Sequence, residues 1–231
     1  NILRCFSVID GKEIWKVKTE KSFIQSQKKL SLVIVNEMVY FINSIGDINA
    51  VDIESGNLIW QSPTRSDEIF DDSFTTKNSD LVADDQSIYF SNTKNEFYSF
   101  DIKSGALNWK QSINSNVRPT IIDDLIFTVS LEGYLIIIDK NNGNIIRITN
   151  IFDRLKLKYL IRGERSVTPV GFIVGNDMIY LTTDTGKLII IDILSGRSTN
   201  VLKIDRDKIS RPFIVNQNLF IIKDNSIIKI N

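Results

Sequence analysis

The chain has 231 residues with 28 basic and 28 acidic side chains, 42% hydrophobic residues, one cysteine and no histidine, which suits one globular domain spanning 1–231 with a sizeable core. Zero net charge removes the global basic bias of a nucleic-acid binder, so no polynucleotide partner is expected. Without histidine there is no Ser-His-Asp or Cys-His nucleophile system, no His-ligated zinc and no imidazole proton shuttle.

At the start of the chain, Ile2 to Phe6 reads as a strand. Cys5 cannot form an internal disulfide, and Leu3 and Arg4 put an arginine where a lipoprotein-processing site wants a small residue. Cys5 is therefore read as a strand residue. The sequence begins at Asn1 without a charged and then apolar leader, and we expect a mature form or a fragment. No apolar run approaches the roughly 18 to 20 residues of a membrane-spanning helix.

From there the chain repeats itself. A partial copy near 1–20 has Asp10-Gly11 and then Trp15. Complete copies near 30–62, 79–112, 117–150 and 167–204 carry Asp52, Asp101, Asp139 and Asp192, each four residues before Gly56, Gly105, Gly143 and Gly196. A last partial copy occupies 210–231. The register is tight: Tyr40, Tyr89, Phe127 and Tyr180 each stand 12 residues before the Asp of their copy. Midway stand Gly46, Asn95, Gly133 and Gly186, residue types that accept the positive φ of a hairpin turn. Each copy thus reads as four short strands, such as Thr120 to Ile122, Leu125 to Val129 and Tyr134 to Ile138, followed by a strand bearing the tryptophan.

In the turn between third and fourth strands the Asp carboxylate is expected to accept backbone N–H groups while the glycine takes the left-handed position. Trp15, Trp60 and Trp109 all follow the repeat glycine by four residues, a shared position that argues for packing between neighbouring sheets. Arg147 and Asn200 occupy that position in the later copies, so the plug there must differ. The repeat aspartates lie about one unit apart, too far to converge on one ion, and we assign no catalytic, cofactor-binding or metal residue.

Two insertions break the repeat. The first holds Asp67, Glu68, Asp71 and Asp72 around Ile69 and Phe70; it lacks the order of known calcium loops and reads as a solvated connector. The second, 154–165, carries the basic residues Arg154, Lys156, Lys158, Arg162 and Arg165 with Gly163 and Glu164 between the last two. A solvated face is the plain reading of such a charge run, and the run is also the segment where a partner site is expected, because function concentrates on loops of a rigid scaffold.

Four-stranded antiparallel units in series imply an all-β fold, the β-propeller. The phrase Ala50-x-Asp52-x-x-x-Gly56-x-x-x-Trp60 is similar to the tryptophan-docking repeat of pyrroloquinoline-quinone-type propellers. Among these the chain most resembles the BamB family of periplasmic propeller lipoproteins that serve outer-membrane β-barrel assembly. Ser210-Arg211-Pro212, the run 219–222 and the end 223–230 resemble the way those chains stop on a third strand. That resemblance implies a fourth strand supplied from elsewhere. Glu13 to Lys18 is of that type, yet Ile2 to Phe6 already reads as a third strand, so we expect about five blades of a larger ring of the eight-bladed type, with blades upstream.

The resemblance further implies a non-catalytic scaffold without cofactor, located in the periplasm at the outer membrane, held there only through an upstream lipid anchor not present in this sequence. Its partner would be the barrel insertase, since Arg162-Gly163-Glu164 resembles an insertase-contacting loop of the family. A ligand-sensing or sugar-binding propeller is the alternative. A remnant of a quinone-dependent dehydrogenase is the second, although such enzymes carry a vicinal cysteine pair that one cysteine cannot supply.

Overall fold

The computed structural model describes residues 2–20, 31–64, 78–92, 95–152 and 167–230. All regular structure among them is β, in twenty-one strands that pair antiparallel with their sequence neighbours. No described helix is long and apolar enough to cross a membrane. The chain divides into two compact units, Asn1–Asn116 and Val117–Asn231.

The first unit holds three sheets. A two-stranded sheet pairs β1 (Ile2–Phe6) with β2 (Glu13–Lys18). A meander follows, β3 (Leu32–Val35), β4 (Met38–Ile42), β5 (Ile48–Asp52) and β6 (Leu58–Ser62), and then a second one, β7 (Val82–Ala83), β8 (Ser87–Ser91), β9 (Glu96–Asp101) and β10 (Leu107–Ser112). The second unit repeats the plan with β11 (Thr120–Ile122), β12 (Leu125–Val129), β13 (Tyr134–Asp139) and β14 (Ile145–Asn150), and with β15 (Pro169–Gly175), β16 (Met178–Thr183), β17 (Lys187–Asp192) and β18 (Ser198–Lys203). Three strands close the list: β19 (Phe213–Val215), β20 (Asn218–Lys223) and β21 (Ser226–Ile230). Each four-stranded meander is a propeller blade, and the all-β propeller fold read from the sequence is the fold observed.

Why these residues make blades is visible in the register. Tyr40 pairs across Ala50 with Trp60, and Tyr89 across Ser99 with Trp109. The small residue on the middle strand lets the two rings meet over it, with centroids 5.8 and 6.0 Å apart. Beside this row every complete blade carries the same irregularity, a register shift between third and fourth strands at Ala50/Val51, Leu107/Trp109, Ile137/Ile138 and Ile190/Ile191. Such a bulge adds right-handed twist and bends the outer strand. The middle hairpins turn where expected, at Gly46, Asn95, Gly133 and Gly186, all with positive φ.

The two middle strands of each blade are covered on both faces, as in β8 and β12, so their sequences read as apolar runs and not as alternation. Within the first unit, Tyr40, Ile42, Ile48 and Ala50 pack with Leu81, Ile88, Phe90 and Tyr98 of the following sheet. Phe41 and Val51, on the opposite face, pack with Leu3, Trp15 and Val17 of the two-stranded sheet. In the second unit Phe127, Val129, Leu135 and Ile137 share a core with Phe172, Ile179, Leu181 and Ile189. Hydrophobic burial between successive sheets is the principal stabilising term.

Candidate functional site

The repeat aspartates are built into turns. Asp52 Oδ1 accepts the Ser55 amide at 2.7 Å and its hydroxyl. Asp101 does the same with Ser104 at 2.7 and 2.6 Å, and Asp192 with Ser195 at 2.8 and 2.6 Å. Asp139 accepts the Asn141 amide at 2.8 Å and the Asn142 side chain at 3.1 Å. The amides of Gly56, Gly105, Gly143 and Gly196 donate back to the carbonyls of the same four aspartates. The serine hydroxyls and amides hold the carboxyls of Asp52, Asp101 and Asp192 below the ordinary value of 3.8.

A carboxyl whose folded pKa is depressed stabilises above its unfolded value, and that contribution is lost as pH falls through the folded pKa. Asp101→Asn is therefore expected to lower the urea midpoint near neutral pH, with the gap to wild type narrowing as pH drops below about 3.8. Urea titrations at several pH values check this; a gap independent of pH contradicts it.

The turns at Gly56 and Gly105 also receive the tryptophan of the preceding sheet. Trp15 Nε1 donates to the Ile53 carbonyl at 2.9 Å, and a Cβ on Gly56 would fall 2.7 Å from the Trp15 ring. A Cβ on Gly105, whose φ is 70°, would lie 2.5 Å from Trp60, where Ser62 Oγ donates to the Gly105 carbonyl. Glycine is required there both for the left-handed backbone and for the close approach. Trp60 Nε1 is buried with no acceptor among the described residues. Trp109 stacks on Phe97 within its own sheet, interplanar angle 10°.

Where the tryptophan is missing, chemistry replaces it. Arg147 donates through Nη2 to the Ile193 carbonyl at 2.7 Å and through Nη1 to that of Leu194. Ile193 stands one residue after Asp192, as Ile53 does after Asp52, so the guanidinium occupies the seat of the indole N–H. Asn200 is exposed and its Oδ1 accepts the Val201 amide at 2.8 Å. Sequence reasoning also missed Ser7, which takes the aspartate's position in the first partial copy. Its Oγ accepts the amides of Ile9 and Asp10 at 3.3 and 3.4 Å, and four residues on, Gly11 has the expected positive φ of 70°.

A polar cluster sits beyond this seam in the second blade of the first unit. Tyr98 Oη donates its one proton to Glu96, accepts from Asn92 Nδ2 at 3.2 Å and stands 3.3 Å from the Thr64 carbonyl. Burial, with the Glu96 carboxylate beside it, pushes the Tyr98 phenol up. Burial also opposes ionisation of Glu96, but the bonds from Tyr98 and from Lys110 at 3.0 Å outweigh it and hold that carboxyl below its usual range. Among the described residues no group of three or more cysteine, aspartate or glutamate side chains is arranged to hold a metal ion.

The insertions chosen from the sequence, 67–72 and 154–165 with Arg154, Lys156, Lys158, Arg162, Gly163, Glu164 and Arg165, lie outside the described residues.

Solved structures similar to this chain include two propellers. BamB from Moraxella catarrhalis superposes with a TM-score of 0.62 at 15% identity, covering 99% of this chain and 78% of that one. The β-propeller domain of Cps50 (Swd1) from Myceliophteria thermophila superposes with a TM-score of 0.65 at 11% identity, covering 86% of this chain and 62% of that one. At these identities the likeness concerns the fold. No curated protein matches the sequence. The family model described as "Outer membrane protein assembly factor BamB" matches residues 1–149, more than half of the chain and all of its tryptophan-bearing copies. On that match, together with the repeated Asp, Gly and Trp seam, the chain belongs to the BamB family of PQQ-like β-propellers.

Proposed function

We propose that this chain is a non-catalytic protein-interaction scaffold that assists the assembly and insertion of outer-membrane β-barrel proteins, working in the periplasm at the outer membrane and docking on the barrel insertase. The observation that carries this reading is the family match over residues 1–149. The turn geometry supports its non-catalytic part, since Asp52, Asp101, Asp139 and Asp192 are each committed to local hydrogen bonds. No cofactor is needed for such a role.

The partner surface is assigned to the insertion 154–165. Five basic residues concentrate there in a chain of zero net charge, and the segment departs from the repeat, as partner loops on a rigid scaffold do. Replacing Arg162 and Arg165 by Glu reverses local charge, which adds repulsion as well as removing attraction. Capture of the insertase's periplasmic domain is expected to fall sharply, and more so at low salt. The melting temperature is expected to change little, because surface charges usually contribute less than about 1 kcal/mol. A pulldown at two salt concentrations decides: equal capture by wild type and variant removes this segment from the interface and leaves the acidic insertion 67–72 to be tested next.

A further inference from the structure

Asn43 and Asn49 are 1% and 0% exposed. Asn43 Oδ1 accepts the amides of Ile45 at 3.1 Å and Asp47 at 2.9 Å, which fixes the amide's orientation and leaves Nδ2 on the far side. Asn49 Nδ2 donates to the Asp47 carbonyl at 3.0 Å. The remaining polar atoms, Asn43 Nδ2 and Asn49 Oδ1, are buried with no partner among the described residues, and so is Thr19 Oγ1. Buried donors and acceptors are nearly always paired with protein or ordered water, so three orphans call for a common explanation.

The topology brings the three together. Phe41 pairs with Asn49 in the sheet, and Phe41 and Val51 pack on Trp15 and Val17 of β2. By the two-residue period of a strand, Asn43 and Asn49 continue the Phe41 and Val51 rows, and Thr19 continues the row of Trp15 and Val17.

The repeat supplies an internal control. Asn92 stands as far before Asp101 as Asn43 does before Asp52, Tyr98 corresponds likewise to Asn49, and Thr64 follows Trp60 as Thr19 follows Trp15. In that later copy Asn92 Nδ2 donates to Tyr98 Oη at 3.2 Å, Tyr98 Oη donates to Glu96, and the Thr64 carbonyl stands 3.3 Å from the same hydroxyl. A hydroxyl oxygen answers the amide donor, passes its own proton to Glu96 and lies beside the preceding strand. In the earlier copy Asn49 stands in the place of Tyr98 and carries no hydroxyl to answer Asn43 Nδ2, while Asp47 stands in the place of Glu96.

We infer that one ordered water molecule occupies the position of the Tyr98 hydroxyl in the preceding blade, accepting a hydrogen bond from Asn43 Nδ2 and donating to Asn49 Oδ1, with Thr19 Oγ1 as its third partner. The donor set selects this ligand. Asp47, 3% exposed, adds a buried carboxylate between the two asparagines; an anion would face that carboxylate and the Asn49 oxygen, a cation would face the Asn43 N–H, and a neutral molecule that both donates and accepts satisfies all three atoms. About three hydrogen bonds is the usual complement of a buried water. The water then belongs to the seam between the two-stranded sheet and the blade after it, doing there what a phenol does one repeat later.

The test is cross-relaxation between solvent and the Asn43 side-chain NH2 protons in the 15N-labelled chain. Wild type is expected to show NOE and ROE peaks of opposite sign at Asn43, the signature of a long-lived bound water. Asn49→Tyr copies the later repeat, and its Asn43 NH2 is expected to lose the water peak and gain contacts to the new ring. Absence of a long-lived water at Asn43 in wild type overturns the inference, as does an undiminished water peak in folded Asn49→Tyr. If that variant does not fold, Asn49→Leu removes the acceptor without adding a ring: a shortened water residence supports the site, and an unchanged one overturns it.

Discussion

Trp60→Ala is expected to destabilise the chain by about 3 kcal/mol, the lower end of the range for truncating a large packed aromatic. The indole lies against Gly105 and beside Tyr40, joining one blade to the next, so its loss opens a gap that a glycine on the facing turn cannot fill. The low end is chosen because Trp60 is only partly buried and its Nε1 has no acceptor among the described residues. That same fact makes Trp60→Phe milder than Trp15→Phe, which also gives up the bond to the Ile53 carbonyl, a difference of about 1 kcal/mol. Denaturant unfolding of the three variants measures both effects. An unchanged midpoint for Trp60→Ala contradicts the docking role.

Gly133→Ala is expected to cost about 2 to 5 kcal/mol, the sum of left-handed strain and overpacking. Gly133 has φ of 89°, and a Cβ there would fall 2.2 Å from Cδ2 of Phe152, which is 1% exposed and part of the second unit's core. A flexible side chain could move aside; a buried ring cannot do so without disturbing Val117, Ile151 and their neighbours. Pairing it with Phe152→Leu separates the two causes. Relief of most of the cost in the double variant assigns it to the ring, and no relief assigns it to the backbone. A single variant as stable as wild type contradicts the packing described for this turn.

The strands of the copy at 117–150 were legible almost residue by residue, Thr120 to Ile122 and Leu125 to Val129 appearing as read and the third strand running one residue further, to Asp139. Period and turn chemistry carry that information, because a glycine or asparagine at a positive-φ position and an aspartate heading a turn are local demands on residue type. Substitutions by function were not legible. Arg147 sits where an indole would, and only the two carbonyls it reaches show that it does the same job. Ser7 replaces a repeat aspartate, while the neighbouring Asp10, which the sequence offered as the repeat's acid, accepts the Lys12 amide at 3.3 Å and pairs with its ammonium at 3.0 Å.

The polar set around Asn43 and Asn49 was hidden for a different reason. Alternating polar residues on a strand ordinarily mark a solvated face, but here sheets cover both sides, so the same pattern marks buried hydrogen bonding. The basic insertion is the converse case: its charge and its departure from the repeat are legible in the sequence, and its partner is a matter for binding experiments.

Calorimetric titration of the chain with the periplasmic domain of the barrel insertase, run beside titrations with pyrroloquinoline quinone and calcium, tests the scaffold reading most directly. Saturable heat with the insertase domain and none with quinone or calcium is the predicted result. A stoichiometric micromolar heat for the quinone or the cation, about 8 kcal/mol of binding free energy, with none for the insertase domain, would contradict it.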